Sequence, residues 1–138
     1  MPDVKNIFDI AGRSMASQMI RLNTVASNLA NAGAVTGDKD SAFRALKPVF
    51  ETQFADQLKR TGVSTVDVVD IQPVLREPEQ VFMPQHPDSD QNGYVFRAAV
   101  DENEEMVEML EASRQYQNNV EVVSTLRSLM MRTISMGK

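Results

Sequence analysis

Two segments with a helical period, one at each end of the chain, bracket a middle that proline breaks up. Five of the six prolines fall between Pro48 and Pro87, a density that excludes a long helix there. In the first segment the apolar residues are Phe8, Ala11, Met15, Leu22, Val25 and Leu29. Their three-four spacing is that of a heptad seam, with Gln18 as the exception. This predicts a helix over residues 5–32, roughly 40 Å long. Gly12 is a weak point worth about 1 kcal/mol, and Gly33 stands where a left-handed residue would stop the helix. In the last segment the stripe is Met106, Met109, Ala112, Tyr116, Val120, Val123, Leu126, Met130 and Ile134. It predicts a helix over 102–136, roughly 50 Å long. Asp101 with Glu104 forms its N-terminal capping signal. Six acids crowd its start, and Arg127, Arg132 and Lys138 follow toward its end, the order that the helix dipole favours.

The middle is read as a small β-rich insertion. "AVTGDKDSAF" is loop-like, while "KPVFETQF" and "GVSTVDVVDIQPVL" carry the β-branched residues of short strands. "PQHPDSDQNG" reads as a turn before a last strand, "YVFRAAV". The expected fold class is therefore mainly α: long N- and C-terminal helices paired in coiled-coil fashion, with a small β-rich insertion between them. The segments are 1–33, 34–100 and 101–138, and the two helices form one core domain.

Bulk composition narrows the function classes. A chain of 138 residues suits a single domain. A net charge of −5 argues against a nucleic-acid partner. No apolar run approaches the roughly 18 residues that span a bilayer, so no direct membrane insertion is expected. The opening "MPDVKNIFDIAG" lacks the pattern of a cleaved secretory signal. Without cysteine there are no disulfides or thiolate metal sites. Aromatics are only 6% and tryptophan is absent, while methionines number nine. That balance suggests a thin or shared core with adaptable helix contacts.

The first helix has a second stripe. Ser14, Ser17, Arg21, Thr24, Asn28 and Asn31 share one face, and Arg21 is the only charged residue between Ser14 and Gly37. A solvated face would recruit Lys and Glu for helix propensity. Small hydrogen-bonding side chains instead suit close approach by other helices. The last helix can supply one neighbour, and the remainder are expected from other chains. Phe8, Met15, Leu22, Val25 and Leu29 are expected to face Tyr116, Val120, Val123, Leu126 and Met130, with Met109 in the same subunit interface. Asn28 and Asn31 are expected at a contact between subunits. Folding and association would then be one event.

Motifs for chemistry are weak. "DSDQNG" matches the first half of a calcium loop, but the twelfth position is Ala99 rather than a bidentate Glu. His86 is the only histidine, so a metal site built on several histidines is impossible. The acids at 101–111 suit a solvated helix start better than a hydrolytic carboxylate pair. Neither nucleotide fingerprint occurs. No catalytic, cofactor or metal residues are assigned.

"FDIAGRSMASQMIRLNTVASNLANAGAVTG" resembles the N-terminal segment of bacterial flagellar rod proteins. "HPDSDQNGYVF" followed by "EEMVEMLEASRQYQNNVEV" resembles their C-terminal segment. The "VTG" after "SNLANA" is like the proximal rod members. The resemblance covers residues 7–37 and 79–137. It implies a structural protein and no enzyme, exported by the flagellar type III apparatus without a cleaved signal. Assembly in the periplasm through the terminal helices would give the helical drive-shaft that carries torque from the basal-body ring to the hook. The partners it implies are other copies of the chain, other flagellar rod proteins, the adaptor at the rod base and the export apparatus. The alternative from the residues alone is a soluble adaptor module that binds one partner helix.

Overall fold

The computed structural model describes residues 4–53 and 65–137. The stretch Phe54–Ser64 of the expected insertion, the first three residues and Lys138 lie outside the described residues. Helix α1 spans Val4–Asn31 and helix α2 spans Glu102–Met136, close to the bounds that periodicity predicts. Between them lie β1 (Val35–Thr36), β2 (Leu46–Gln53), β3 (Thr65–Pro73), β4 (Glu79–Phe82) and β5 (Tyr94–Arg97). The strands make two antiparallel sheets, a three-stranded one in the order β1-β5-β4 and a two-stranded β2-β3 pair.

Local chemistry explains the element ends. Asp101 holds an extended backbone and its carboxylate accepts from the N–H groups of Asn103 and Glu104, at 3.0 and 3.2 Å. Two of the four orphan donors of α2 are thereby satisfied. The reciprocal half of the capping box is not made, because the Glu104 carboxylate binds Lys47 and Arg76 instead. At the other end, Arg132 lies just before the last turn, which contains no basic residue. Helix α1 stops by a different route from the expected one. Gly33 does not take a left-handed φ; tight bonds from Ala32 N–H to Leu29 O and from Ala34 N–H to Asn31 O turn the chain into β1. The left-handed glycine is Gly93 (φ +81°), in the turn before β5. A Cβ there would meet Phe82 and Pro84 at 3.0 Å. That turn lets Phe82 and Tyr94 stack edge-to-face across the β4–β5 pair, ring centroids 5.1 Å apart.

The helices run side by side and antiparallel, as their hydrogen bonds show. Asn119 of α2 donates to Ser14 Oγ (2.8 Å), and Asn28 donates to Glu105 Oε2 (3.0 Å). The same separation along both helices keeps them in register. On that register Val4 falls opposite the neighbourhood of Leu129, so the end of α2 runs on past the start of α1. The β2–β3 hairpin lies along α1: Ser17 Oγ donates to Val66 O at 3.1 Å, and Arg13 pairs with Asp67. A register shift between Val49 and Phe50 bends the hairpin as it follows the helix.

Seven of the nine buried apolar residues among those described are alanines: Ala11, Ala32, Ala42, Ala45, Ala98, Ala99 and Ala112. Val25 and Val95, with the buried Pro78, add the larger apolar bulk. Such a core brings backbones close together, and it is as thin as the low aromatic content implies.

Candidate functional site

With no ligand-binding chemistry in the sequence, the surfaces that matter are those where α1 and α2 meet other groups. The polar stripe of α1 is the covered face of the helix. Ser17, Thr24 and Asn28 are all buried, and Ser14 and Arg21 are half-buried. Each polar group has a partner in the same chain. Ser14 accepts from Asn119, Ser17 donates to Arg13 O and to Val66 O, and Thr24 donates to Ile20 O. Arg21 forks onto Glu108, with Nε–Oε2 at 2.9 Å, and lies 3.8 Å from Glu111.

Asn28 is fully buried and makes three bonds. Nδ2 donates to Leu46 O (2.8 Å) and to Glu105 Oε2 (3.0 Å), and Oδ1 accepts from Leu46 N–H (2.8 Å). Asn28 is one of the residues expected at a contact between subunits. Within the chain its donors and acceptor are all engaged. Asn31 is half-buried and donates to Ser27 O of its own helix. The stripe's missing neighbours are α2 and the β2–β3 hairpin, which the chain supplies itself. Small side chains are needed there because a hairpin backbone, as well as a helix, packs against α1.

A second polar cluster ties the start of α2 to the insertion. Glu104 takes Lys47 Nζ on one oxygen and Arg76 Nη2 on the other, each at 2.9 Å. The Lys47 bond, reinforced by Arg76, holds the Glu104 carboxyl below its ordinary value. In return, the bond to Glu104 holds the Lys47 ammonium above its ordinary value, against a smaller loss from burial. All three side chains are 40–47% exposed, so solvent screening limits each pair to about 0–1 kcal/mol.

The acid run at 101–111 is thus largely paired. Glu104, Glu105 and Glu108 each hold a cation or an amide of the same chain. No cluster suited to a metal ion occurs among the described residues. In "DSDQNG" the Asp90 carboxylate accepts from the N–H groups of Asn92 and Tyr94, which is the work of a turn. His86 Nδ1 accepts from Asp88 N–H within the same loop.

The apolar residues of the expected interface differ in exposure. Val25 is buried, while Phe8, Met15, Leu22 and Leu29 are half-buried along the margin of the covered face. On α2, Met109, Tyr116, Val123 and Leu126 are half-buried, whereas Val120 is 45% and Met130 38% exposed. Beyond the start of α1 the end of α2 is bare: Leu129, Met131, Ile134 and Met136 are 53–87% exposed. Neither described helix is long and apolar enough to cross a membrane.

Two family models match the chain at its ends. One, described as flagella basal body rod protein, matches residues 8–37, which hold most of α1 together with β1. The other, described as flagellar basal body rod FlgEFG protein C-terminal, matches residues 91–136, which hold β5 and α2. Whole-chain similarity is to the flagellar basal-body rod protein FlgC of Salmonella typhimurium, 44% identical over 96% of this chain and 97% of that one. The FlgC of Escherichia coli O157:H7 is 43% identical over the same shares, and that of Aquifex aeolicus is 35% identical over the full length of both. The chain belongs to the FlgC family of flagellar basal-body rod proteins. As a rod protein it is a structural subunit of the flagellar basal body. The two matched ends are the antiparallel helices, so the segments that place the chain among rod proteins are those that form the helical pair. The residues that sequence reasoning missed are Leu46, Lys47 and Arg76, which join this FlgC-family insertion to the helices. Their one signal is Lys47, a lone cation beside Pro48 at the start of a strand.

Proposed function

We propose that the chain is a subunit of the helical flagellar rod that assembles through its terminal helices and transmits torque from the basal-body ring to the hook. The observation that carries this reading is the bare apolar end of α2, together with membership of the rod family. Leu129, Met131, Ile134 and Met136 form an apolar surface at a chain end, where termini are ordinarily polar and loose. Each such side chain buried on assembly contributes roughly 1.5–3 kcal/mol before entropy is set against it.

The subunit interface is the half-buried margin, Phe8, Met15, Leu22 and Leu29 on α1 with Met109, Tyr116, Val123 and Leu126 on α2, together with the exposed Val120 and Met130. In the assembled rod these residues complete a coiled-coil-like packing, for which their heptad spacing is suited. A head-to-tail contact that does not close gives a helical filament. The subunit passes unfolded through the flagellar type III export apparatus and assembles in the periplasm. Its neighbours are other copies, other rod proteins and the adaptor at the rod base.

Two variants test the interface. Leu22→Asp and Ile134→Asp are introduced into the flagellar cell, and rod completion is read from purified basal bodies and from motility. Both are expected to stop the rod from forming. Intact basal bodies and normal swimming with both variants would remove the helix-end assignment.

A further inference from the structure

We propose that Asn28 is a latch that makes docking of the β2–β3 insertion conditional on closure of the α1–α2 pair. The geometry of Leu46 points to it. Ala45 O accepts from Val74 N–H of the strand partner at 2.8 Å. In an antiparallel ladder the next residue therefore turns its N–H and C=O away from the partner strand. Leu46 is that residue and the first of β2, and its two outward groups would be an open strand edge. The Asn28 side chain closes the edge as a neighbouring strand would, accepting from Leu46 N–H and donating to Leu46 O.

One Nδ2 hydrogen remains, and it goes to Glu105 of α2. The amide has two hydrogens and both are used, so its orientation is fixed by β2 and α2 together. Asn28 has no exposed surface and Glu105 is 3% exposed. Water cannot take the place of either partner while the core is closed. Removing Glu105 leaves a buried donor without an acceptor, and the amide must turn or open to water. Either movement withdraws it from Leu46. Removing β2 likewise leaves the amide carbonyl unpartnered in the core. Three elements separated by 18 and 77 positions along the chain thus share one side chain, and a displacement of α2 reaches the insertion through it.

The experiment is hydrogen exchange by NMR on the full chain, read at the Leu46 amide, with the Ala112 amide of α2 as a reporter of global opening. Glu105→Ala is expected to speed Leu46 exchange about tenfold while Ala112 exchange changes little. Glu105→Gln retains an acceptor and is expected to restore Leu46 to near the wild-type rate. In an Asn28→Ala background, Glu105→Ala is expected to add almost nothing at Leu46, because the two changes break one device. An unchanged Leu46 rate in Glu105→Ala overturns the latch. So does an effect of full size in the Asn28→Ala background, or a wild-type Leu46 that exchanges as a free peptide does. If Glu105→Ala speeds Ala112 as much as Leu46, the swapped pair decides. Asn28→Asp alone should free Leu46, and Asn28→Asp with Glu105→Gln, whose amide can donate back to the carboxylate, should slow it again. No slowing in that pair overturns the latch.

Discussion

The middle of α1 and the end of α2 invert the usual relation between polarity and exposure. Around Ser17, Thr24 and Asn28 the chain buries polar groups; around Met131, Ile134 and Met136 it leaves apolar ones uncovered. In the first region the buried Ser17, Thr24 and Asn28 all find partners at hydrogen-bond distance within the chain, and Gln18 Oε1 is the one buried side-chain atom among the described residues left without one. The second stays open because α2 outruns α1 and no described element reaches it. The contrast separates two kinds of stability. Bonded small residues hold the subunit together by itself, and on the proposed function the bare apolar residues would join subunits to one another.

Substitutions at the two regions should therefore move different measurements. The largest loss of subunit stability is expected from Asn28→Leu, which keeps the branched shape but strands Leu46 N–H, Leu46 O and Glu105. At about 1–3 kcal/mol for each buried group left unpaired, the total should reach 3 kcal/mol or more in urea unfolding. Equal stability of variant and wild type would break the account of the covered stripe. Ala112→Leu comes next. Ala112 has no exposed surface between the helices, and overpacking there should cost about 2 kcal/mol by the same assay. Glu104→Gln should cost less than about 1 kcal/mol, since its partners are exposed.

The pH dependence of that last variant sharpens the comparison. The Glu104 pKa is lowered in the folded chain, so its contribution is present above the unfolded value near 4.5 and is lost as pH falls through the folded value. The Lys47 pKa is raised from 10.5, so its contribution is present below that value and is lost as pH rises through the folded one. Variant and wild type should differ between these limits and converge once pH falls below the folded Glu104 value, or in molar salt. Smallest of all is the expected effect of Ile134→Asp on the isolated subunit, within about 0.5 kcal/mol as for other open surface sites. A large loss there would show that the end of α2 is already packed in the single chain.

Periodicity placed both helices and the capping role of Asp101, because three-four spacing and a capping side chain are local signals. The segments of β2 and β3 were legible in part from β-branched residues and prolines. What covers the polar stripe was not legible. Asn28 meets Leu46 through the backbone of that residue, and a backbone leaves no mark in a sequence. Glu105 stands in an acid run that ordinarily faces water, and nothing local separates it from Glu102. The stripe was readable as a covered face; its cover was not, since the hairpin that provides it reads as an outlying insertion.

The alanine-lined interior bears on how the subunit meets heat and cold. An interior built mainly of alanine methyl groups exposes little hydrocarbon when the chain opens. The heat capacity increment of unfolding should then fall below the usual 12–15 cal/mol/K per residue or so. A small increment gives a shallow stability curve, so calorimetry should find a subunit that is only modestly stable at its optimum yet loses little of that margin across a wide span of temperature.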